Sequence, residues 1–193
     1  APLRARNNQS LKTEGFANSR TSLVLSNFLC EGRKMAVYTL SKEATSTISA
    51  HRLFKALIVE RHVTMEKVKP SVFKSNELIQ GDGGAGTHRR IHFAEGHPFK
   101  SFVIRFDELD ADNLYCKYTI TEGGMLRDNL ECIVYEVKYE AAGDCSKVKL
   151  TVHYHPKPGC SVNEDEVKQA EAKASEVVKE VEEYLLANPD YCA

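Results

Sequence analysis

The sequence predicts an α+β fold in which a strongly curved, seven-stranded antiparallel sheet wraps around one long C-terminal helix. Three observations carry this. Strand-like runs with period-two alternation are joined by short turn signals instead of crossover-length segments. Two short helical segments stand between the first strand and the other six. The chain then ends in an amphipathic segment of about six turns, too irregular for a heptad seam and long enough to cover the open side of a curved sheet. With 193 residues there is material for one good core.

Residues 1–34 stand apart from this pattern. They hold six basic residues (Arg4, Arg6, Lys12, Arg20, Arg33 and Lys34) against two acidic ones (Glu14 and Glu31), with many Asn and Ser. Basic, Ser-containing and acid-poor composition resembles a transit peptide, and Thr21–Leu29 resembles a weak signal core, but polar residues interrupt it and no small-residue cleavage site follows. A disordered extension before a start at Met35 is the expected reading, with one domain over residues 35–193.

The first strand is expected over Val37–Thr47. Behind Ser49 as N-cap, Leu53, Phe54, Leu57 and Ile58 recur at helical spacing up to Val59. A second short helix over Glu60–Val68 is stopped by Pro70. Strand-like residues 71–80 and 88–93 flank Gly81-Asp82-Gly83-Gly84-Ala85-Gly86-Thr87. Four further strands, Phe99–Asp107, Asn113–Thr121, Leu130–Glu140 and Lys147–His155, are separated by turn signals at 110–113, 122–124 and 142–144. Ser161 and Glu164 fit a capping box opening the last helix, whose Val167, Ala170, Ala174, Val178, Val181 and Leu185 form one apolar face. Asn188-Pro189 ends it.

The glycine-rich loop looks like a phosphate cradle, because glycine admits positive φ and close approach of an anion to the N–H groups. A nucleotide loop needs Gly-Lys-Ser/Thr and a following helix. Here Thr87 leads into His88-Arg89-Arg90-Ile91-His92-Phe93, a strand, so a rigid hairpin bend is expected. Composition excludes other classes. Lys and Arg number 26 against 27 Asp and Glu, so no nucleic-acid footprint is present and nucleic acid is not an expected partner. No apolar run reaches the ~20 residues of a membrane span. The six cysteines are scattered without Cys-x-x-Cys pairs, as free thiols of a reducing compartment would be.

The glycine loop behind a strand, Glu122-Gly123-Gly124 after a Tyr-rich strand, and Glu182-Glu-Tyr-Leu-Leu-Ala-Asn188 near the end resemble the plant pathogenesis-related class-ten proteins, the family of the major birch pollen allergen. His51–Leu57, Glu60-Arg61-His62, Val72–Ser75 and His155–Cys160 agree with it in order and spacing. The likeness covers residues 35 to about 193. It implies a START-like helix-grip fold with two short helices in a V and a large internal cavity. It further implies a defence-related, cytoplasmic protein, monomeric or weakly dimeric, that binds hydrophobic or amphipathic small molecules such as phenolics, flavonoids, alkaloids or cytokinin-like hormones, without a cofactor.

Alternation points Arg89, Ile91, Phe93, Phe102, Ile104, Phe106, Cys116, Tyr118, Ile120, Ile133, Tyr135, Val137, Tyr139, Val148, Leu150, Val152 and Tyr154 inward. Converging tyrosines in a filled core would each need a hydroxyl partner, whereas water or a polyphenol supplies one; the alternative is that the hydroxyls reach the rim or the main chain. Arg89 is either a charged gatepost for an anionic ligand or a side chain that snorkels outward. Phe73, Leu57, Ile58, His62, Met65, Lys67, Ala174 and Val178 complete the implied ligand-binding set, although Lys67, Arg61 and His62 also read as ordinary solvated helix residues. His153 and His155 should point outward without a third metal ligand beside them, so no metal is expected.

Catalysis is not favoured. Norcoclaurine synthase, in the wider family, uses a tyrosine, a glutamate, a lysine and an aspartate, and the positions matching them here are Phe102, Ile104, Cys116 and Tyr135, which lack its acid–base groups. Oxidative phenol coupling would need an electron acceptor, and no flavin, haem or copper motif appears. The ribonuclease activity ascribed to the family would fall to Arg89, Glu131 and Tyr184, of which only Glu131 is a plausible base.

Overall fold

The structure, a computed structural model, describes residues 20–26, as backbone only, and residues 37–193. The rest of the basic N-terminal stretch, with Cys30 and Met35, lies outside the described residues. The elements are β1 (Arg20–Ser26), β2 (Val37–Ser46), α1 (Ala50–Phe54), α2 (Arg61–Val68), β3 (Phe73–Gln80), β4 (His88–Phe93), β5 (Ser101–Asp110), β6 (Tyr115–Gly123), β7 (Leu130–Ala142), β8 (Cys145–Pro156) and α3 (Glu164–Ala187).

One antiparallel sheet has the order β1-β2-β8-β7-β6-β5-β4-β3. The seven expected strands are β2 to β8. An eighth, β1, comes from the stretch expected to be disordered: its Thr-Ser-Leu-Val-Leu-Ser run pairs Arg20 to Ser26 with Glu43 to Val37 and so extends the sheet beyond β2. Register shifts lie at two places in β3–β4, at two in β5–β6, and at one in β7–β8. Each bulge inserts a residue on one strand and bends the ladder, which produces the curvature.

The helices differ in detail from their sequence patterns. Instead of one α-helix through Val59, α1 passes into a π-helical turn over Lys55–Val59, with the Glu60 N–H donating to the Lys55 carbonyl at 2.7 Å. The wider turn lets the consecutive Ala56, Leu57 and Ile58 all be buried, more of the circumference than an α-helical face covers. The α3 cap is also displaced. Ser161 does not cap it; the Asn163 side chain accepts from the Asp165 and Glu166 N–H groups, and Glu164, Asp165 and Glu166 place negative charge at the helix's positive end.

The other end of α3 is clasped. Arg52 of α1 donates to the carbonyls of Leu185, Asn188 and Tyr191, so carbonyls the helix leaves unpaired are satisfied by a guanidinium. The Thr64 hydroxyl lies 3.1 Å from that of Tyr191. Tyr191 also stands beneath Lys67, whose ammonium is 4.5 Å from the ring centroid. The V of short helices thus holds both the end of α3 and the tail beyond it.

The glycine loop is a closed hairpin. The Gly83 N–H donates to Thr87 Oγ1, Gly84 to Asp82 Oδ1, Thr87 to the Gly84 carbonyl and Gly86 to the Phe106 carbonyl. Those donors are turned into the fold, leaving no array of N–H groups to cradle an anion. Gly81 has φ +94°, and a Cβ there would sit 2.5 Å from Thr87 Oγ1.

Candidate functional site

The concave face is built by alternation on β4 to β8. Ile91, Phe102, Ile104, Phe106, Cys116, Ile120, Ile133, Val137, Tyr139, Val148, Val152 and Tyr154 are buried on it, while Phe93, Tyr118, Tyr135 and Leu150 are half-buried. Tyr118 and Tyr135, directly opposite on β6 and β7, stack with centroids 4.8 Å apart and planes at 6°. Phe93 lies between Phe73 and Phe102, at 5.6 and 5.4 Å. Burial pushes the Tyr135, Tyr139 and Tyr154 phenols above their ordinary value. Burial also raises Tyr118, against the opposing charge and hydrogen bond of Arg61. The Cys116 thiol is pushed up to about 12 by burial, which keeps it protonated and unreactive.

Arg61 is the residue that the sequence pattern misplaced. Half-buried at the first turn of α2, it points at the interior, and its charge reaches Cys116, Tyr118, Tyr135 and Tyr139. A second inward ionic group is the pair Lys42–Glu171, 3.1 Å apart, between β2 and α3. Alternation with Tyr38, Leu40 and Ala44 was a signal for Lys42, and a four-residue step from Val167 was one for Glu171. Arg61 has no such signal, because an eight-residue helix offers little periodicity.

An opening lies between α2 and the β3–β5 side of the sheet, lined by Arg61, His62, Met65, Glu66, Phe73, Ser75, Asn76, Ile91 and Phe102. It brings together five residues of the expected set: His62, Met65, Phe73, Ile91 and Phe102. Burial, then the charge of Arg89, lowers the His62 pKa, with Glu66 and Glu60 opposing. Arg89 itself donates to Asn76 Oδ1 at 3.3 Å. The opening is narrow and partly open to solvent. The stacked phenols of Tyr118 and Tyr135 are themselves only half-buried on the concave face.

Lys67 and Ala174 of the expected set do not line that opening. Lys67 is engaged with Tyr191, on the clasp side of α2. Ala174 is exposed. It nevertheless lies within about 20° of Val167 and Leu185 around α3, at 100° per residue, and those two are 5% and 0% exposed. The helix is most buried at its two ends and less so at its middle, where Ala170 is exposed as well and Val177 and Val178, packed against the core, are half-buried. The short Ala170 and Ala174 side chains fill less of the space over the sheet than valines or leucines would.

The groups suggested for other chemistry do not assemble. His153 shares a 3.0 Å hydrogen bond with Thr39 and lies 3.7 Å from Glu136. Among the described residues no cluster of three His, Cys, Asp or Glu is placed to hold a metal. Glu131 is exposed, and Tyr184 packs edge-on against Tyr191 at 5.4 Å. Among the described residues no helix is long and apolar enough to cross a membrane.

The model of the pathogenesis-related protein Bet v 1 family matches residues 35–188. The chain belongs to the Bet v 1 family. It is 43% identical over 157 residues, 81% of its own length and 100% of the relative's, to the probable intracellular pathogenesis-related protein T1 of Catharanthus roseus. The major strawberry allergen Fra a 1.04 of Fragaria ananassa is also 43% identical, over 82% of this chain and all of the allergen. Among solved structures, Ara h 8.0201 superposes with a TM-score of 0.73 at 29% identity, covering 79% of this chain and 99% of the other. Norcoclaurine synthase from Thalictrum flavum, solved with dopamine and hydroxybenzaldehyde, has a TM-score of 0.61 at 20% identity over 84% of this chain and 98% of its own, a likeness of fold alone. In this member of the Bet v 1 family, the positions matched to the synthase's catalytic groups hold two buried apolar side chains, Phe102 and Ile104, the buried thiol of Cys116, and Tyr135 in its stack.

Proposed function

We propose that the chain is a cytoplasmic, defence-related carrier that binds amphipathic small molecules between α3 and the concave face, without turning them over. Phenolics, flavonoids, alkaloids and cytokinin-like hormones are the expected classes. The ligand-binding unit is residues 35–193, and no metal or cofactor takes part.

The observation that carries this reading is the incomplete packing of α3 over a phenol-bearing face. The concave face presents the phenols of Tyr118, Tyr135, Tyr139 and Tyr154, and none of their oxygens is a buried polar atom left without a partner among the described residues. A ligand with a flat ring and a few polar atoms suits such a face, since sites for such ligands are mostly apolar with a few polar handles. Entry through the narrow opening under α2 requires α2 and the facing strands to part or the lining side chains to change rotamer. The name of the Catharanthus relative supports the intracellular assignment, and a protein of the same fold, the synthase, was solved in complex with dopamine and hydroxybenzaldehyde.

The test is displacement of a naphthalene-sulfonate dye by flavonoids. Displacement at micromolar concentration is expected, and Tyr118→Phe should change the order of preference among phenols without lowering thermal stability by more than about 1 kcal/mol. If no amphipathic compound displaces the dye, the carrier reading fails. Product formation from a bound phenol that depends on Tyr118 or Tyr135 would replace it with an enzymatic one.

A further inference from the structure

We infer that Arg61 makes the interior an anion-reading site, so that its preferred ligands are flat aromatic compounds carrying one carboxylate, anchored by the guanidinium while their rings lie along Tyr118, Tyr135 and Phe102. This rests on the carrier reading above and specifies its ligand class.

The other arginines with described side chains have partners. Arg90, Arg105 and Arg127 face Glu122, Asp107 and Glu166; Arg52 holds main-chain carbonyls; Arg89 donates to Asn76. Arg61 differs. Among the described residues no carboxylate lies within 4.0 Å of it, and its one polar neighbour of note is the Tyr118 phenol. A half-buried guanidinium with five donors and a single neutral partner is under-satisfied, and a charge taken out of water without a counter-ion is costly. A planar carboxylate is the group that a guanidinium fork matches in two parallel hydrogen bonds.

The surroundings define the rest of the ligand. Arg61 lines the opening under α2 together with Met65, Phe73, Ile91 and Phe102, so an approaching molecule meets apolar side chains and one cation. The phenols near Arg61 do not neutralise it, since burial keeps Tyr118, Tyr135 and Tyr139 protonated. Glu66, exposed at the rim, is the acidic group of the lining; it disfavours a dianion more than a single charge held deep against Arg61. A neutral flavonoid still fits the apolar surface but leaves the guanidinium as it was.

The experiment compares 2-naphthoate with 2-naphthamide, which has the same ring and no charge, by calorimetric titration of the full chain at pH 7.5. The acid should bind roughly tenfold to a hundredfold more tightly, the range of hydrogen bonds to a charged group. Arg61→Met should bring the ratio to within about twofold while leaving amide affinity within about threefold. Arg61→Lys, which keeps the charge and loses the fork, should retain an intermediate preference. Equal binding of acid and amide to the unmodified chain overturns the inference without needing any variant to fold, and so does a ratio unchanged in a folded Arg61→Met. Should flavonoids displace the dye while acid and amide bind alike, the carrier reading stands and the anion assignment falls. Should neither naphthalene compound nor any flavonoid bind, both fall.

Discussion

The glycine loop and the interior beneath α2 both invite a ligand from their sequence, and they differ in how their polar groups are used. In the loop, the N–H groups of Gly83, Gly84, Gly86 and Thr87 already donate to Thr87, Asp82, Phe106 and Gly84. In the interior, Arg61 has no carboxylate partner and only the Tyr118 phenol beside it, and the Glu182 carboxylate oxygens lack partners among the described residues. Satisfied donors hold a hairpin; unsatisfied ones are what a ligand can complete. A glycine-rich composition is therefore a statement about backbone shape, and the hydrogen-bond inventory decides whether the shape binds anything.

The comparison breaks most visibly at Gly81. Gly81→Ala places a side chain at φ +94° with its Cβ 2.5 Å from Thr87 Oγ1, so it should destabilise the chain by about 3 kcal/mol, seen as a fall in Tm on the order of 10 °C. Unchanged stability would mean that the loop relaxes freely and is not the rigid bend described. The next effect belongs to the clasp. Arg52→Ala removes the charged donor to three carbonyls and should cost about 2 kcal/mol, with faster amide exchange at residues 184–191 and little change in the order of ligand preference. Protection there equal to that of the parent would show that the clasp is not what holds the helix end.

The smallest effect has the opposite sign. Glu182 is 4% exposed, neither carboxylate oxygen has a partner at hydrogen-bond distance, and the Ser46 hydroxyl, which accepts from the Ile48 N–H, is the one donor that favours its charged form. Burial, opposed by Ser46 and aided by Glu183, raises its pKa above the ordinary 4.5. The folded chain therefore takes up this proton more readily than the unfolded one, so the group's contribution to stability is greatest below pH 4.5 and is lost as pH rises through the raised folded value. Glu182→Gln should accordingly raise stability at pH 8 by about 1 kcal/mol, with the gain shrinking as the pH approaches 4.5, measured by urea unfolding across that range. A destabilised variant at pH 8 would mean that the carboxylate has a partner, such as ordered water.

Much of this was legible in the residues. Period-two alternation placed seven strands and the inward phenols, and the strand-like residues after the loop pointed to the hairpin bend that its internal hydrogen bonds close. The helical side read less well. Ser161 and Glu164 matched a capping box that Asn163, two residues on, displaces. Ala174 carried the right azimuth, but azimuth does not say how far a helix stands from its sheet. Lys67 and Arg61 sit on one short helix, and the sequence pattern had no means of telling which of them turns to the interior.

The sequence by itself determined the elements of residues 37–193, the family, and a concave face bearing phenols, because strand alternation and turn chemistry act over a few residues and are written in them. Only the tertiary structure decided that Arg61 faces that surface, that Arg52 closes α3, and that the helix is more buried at its ends than at its middle. Those outcomes depend on where a short helix is anchored by groups more than a hundred residues away, Leu185, Asn188 and Tyr191 against Arg52, and no local pattern records such a distance.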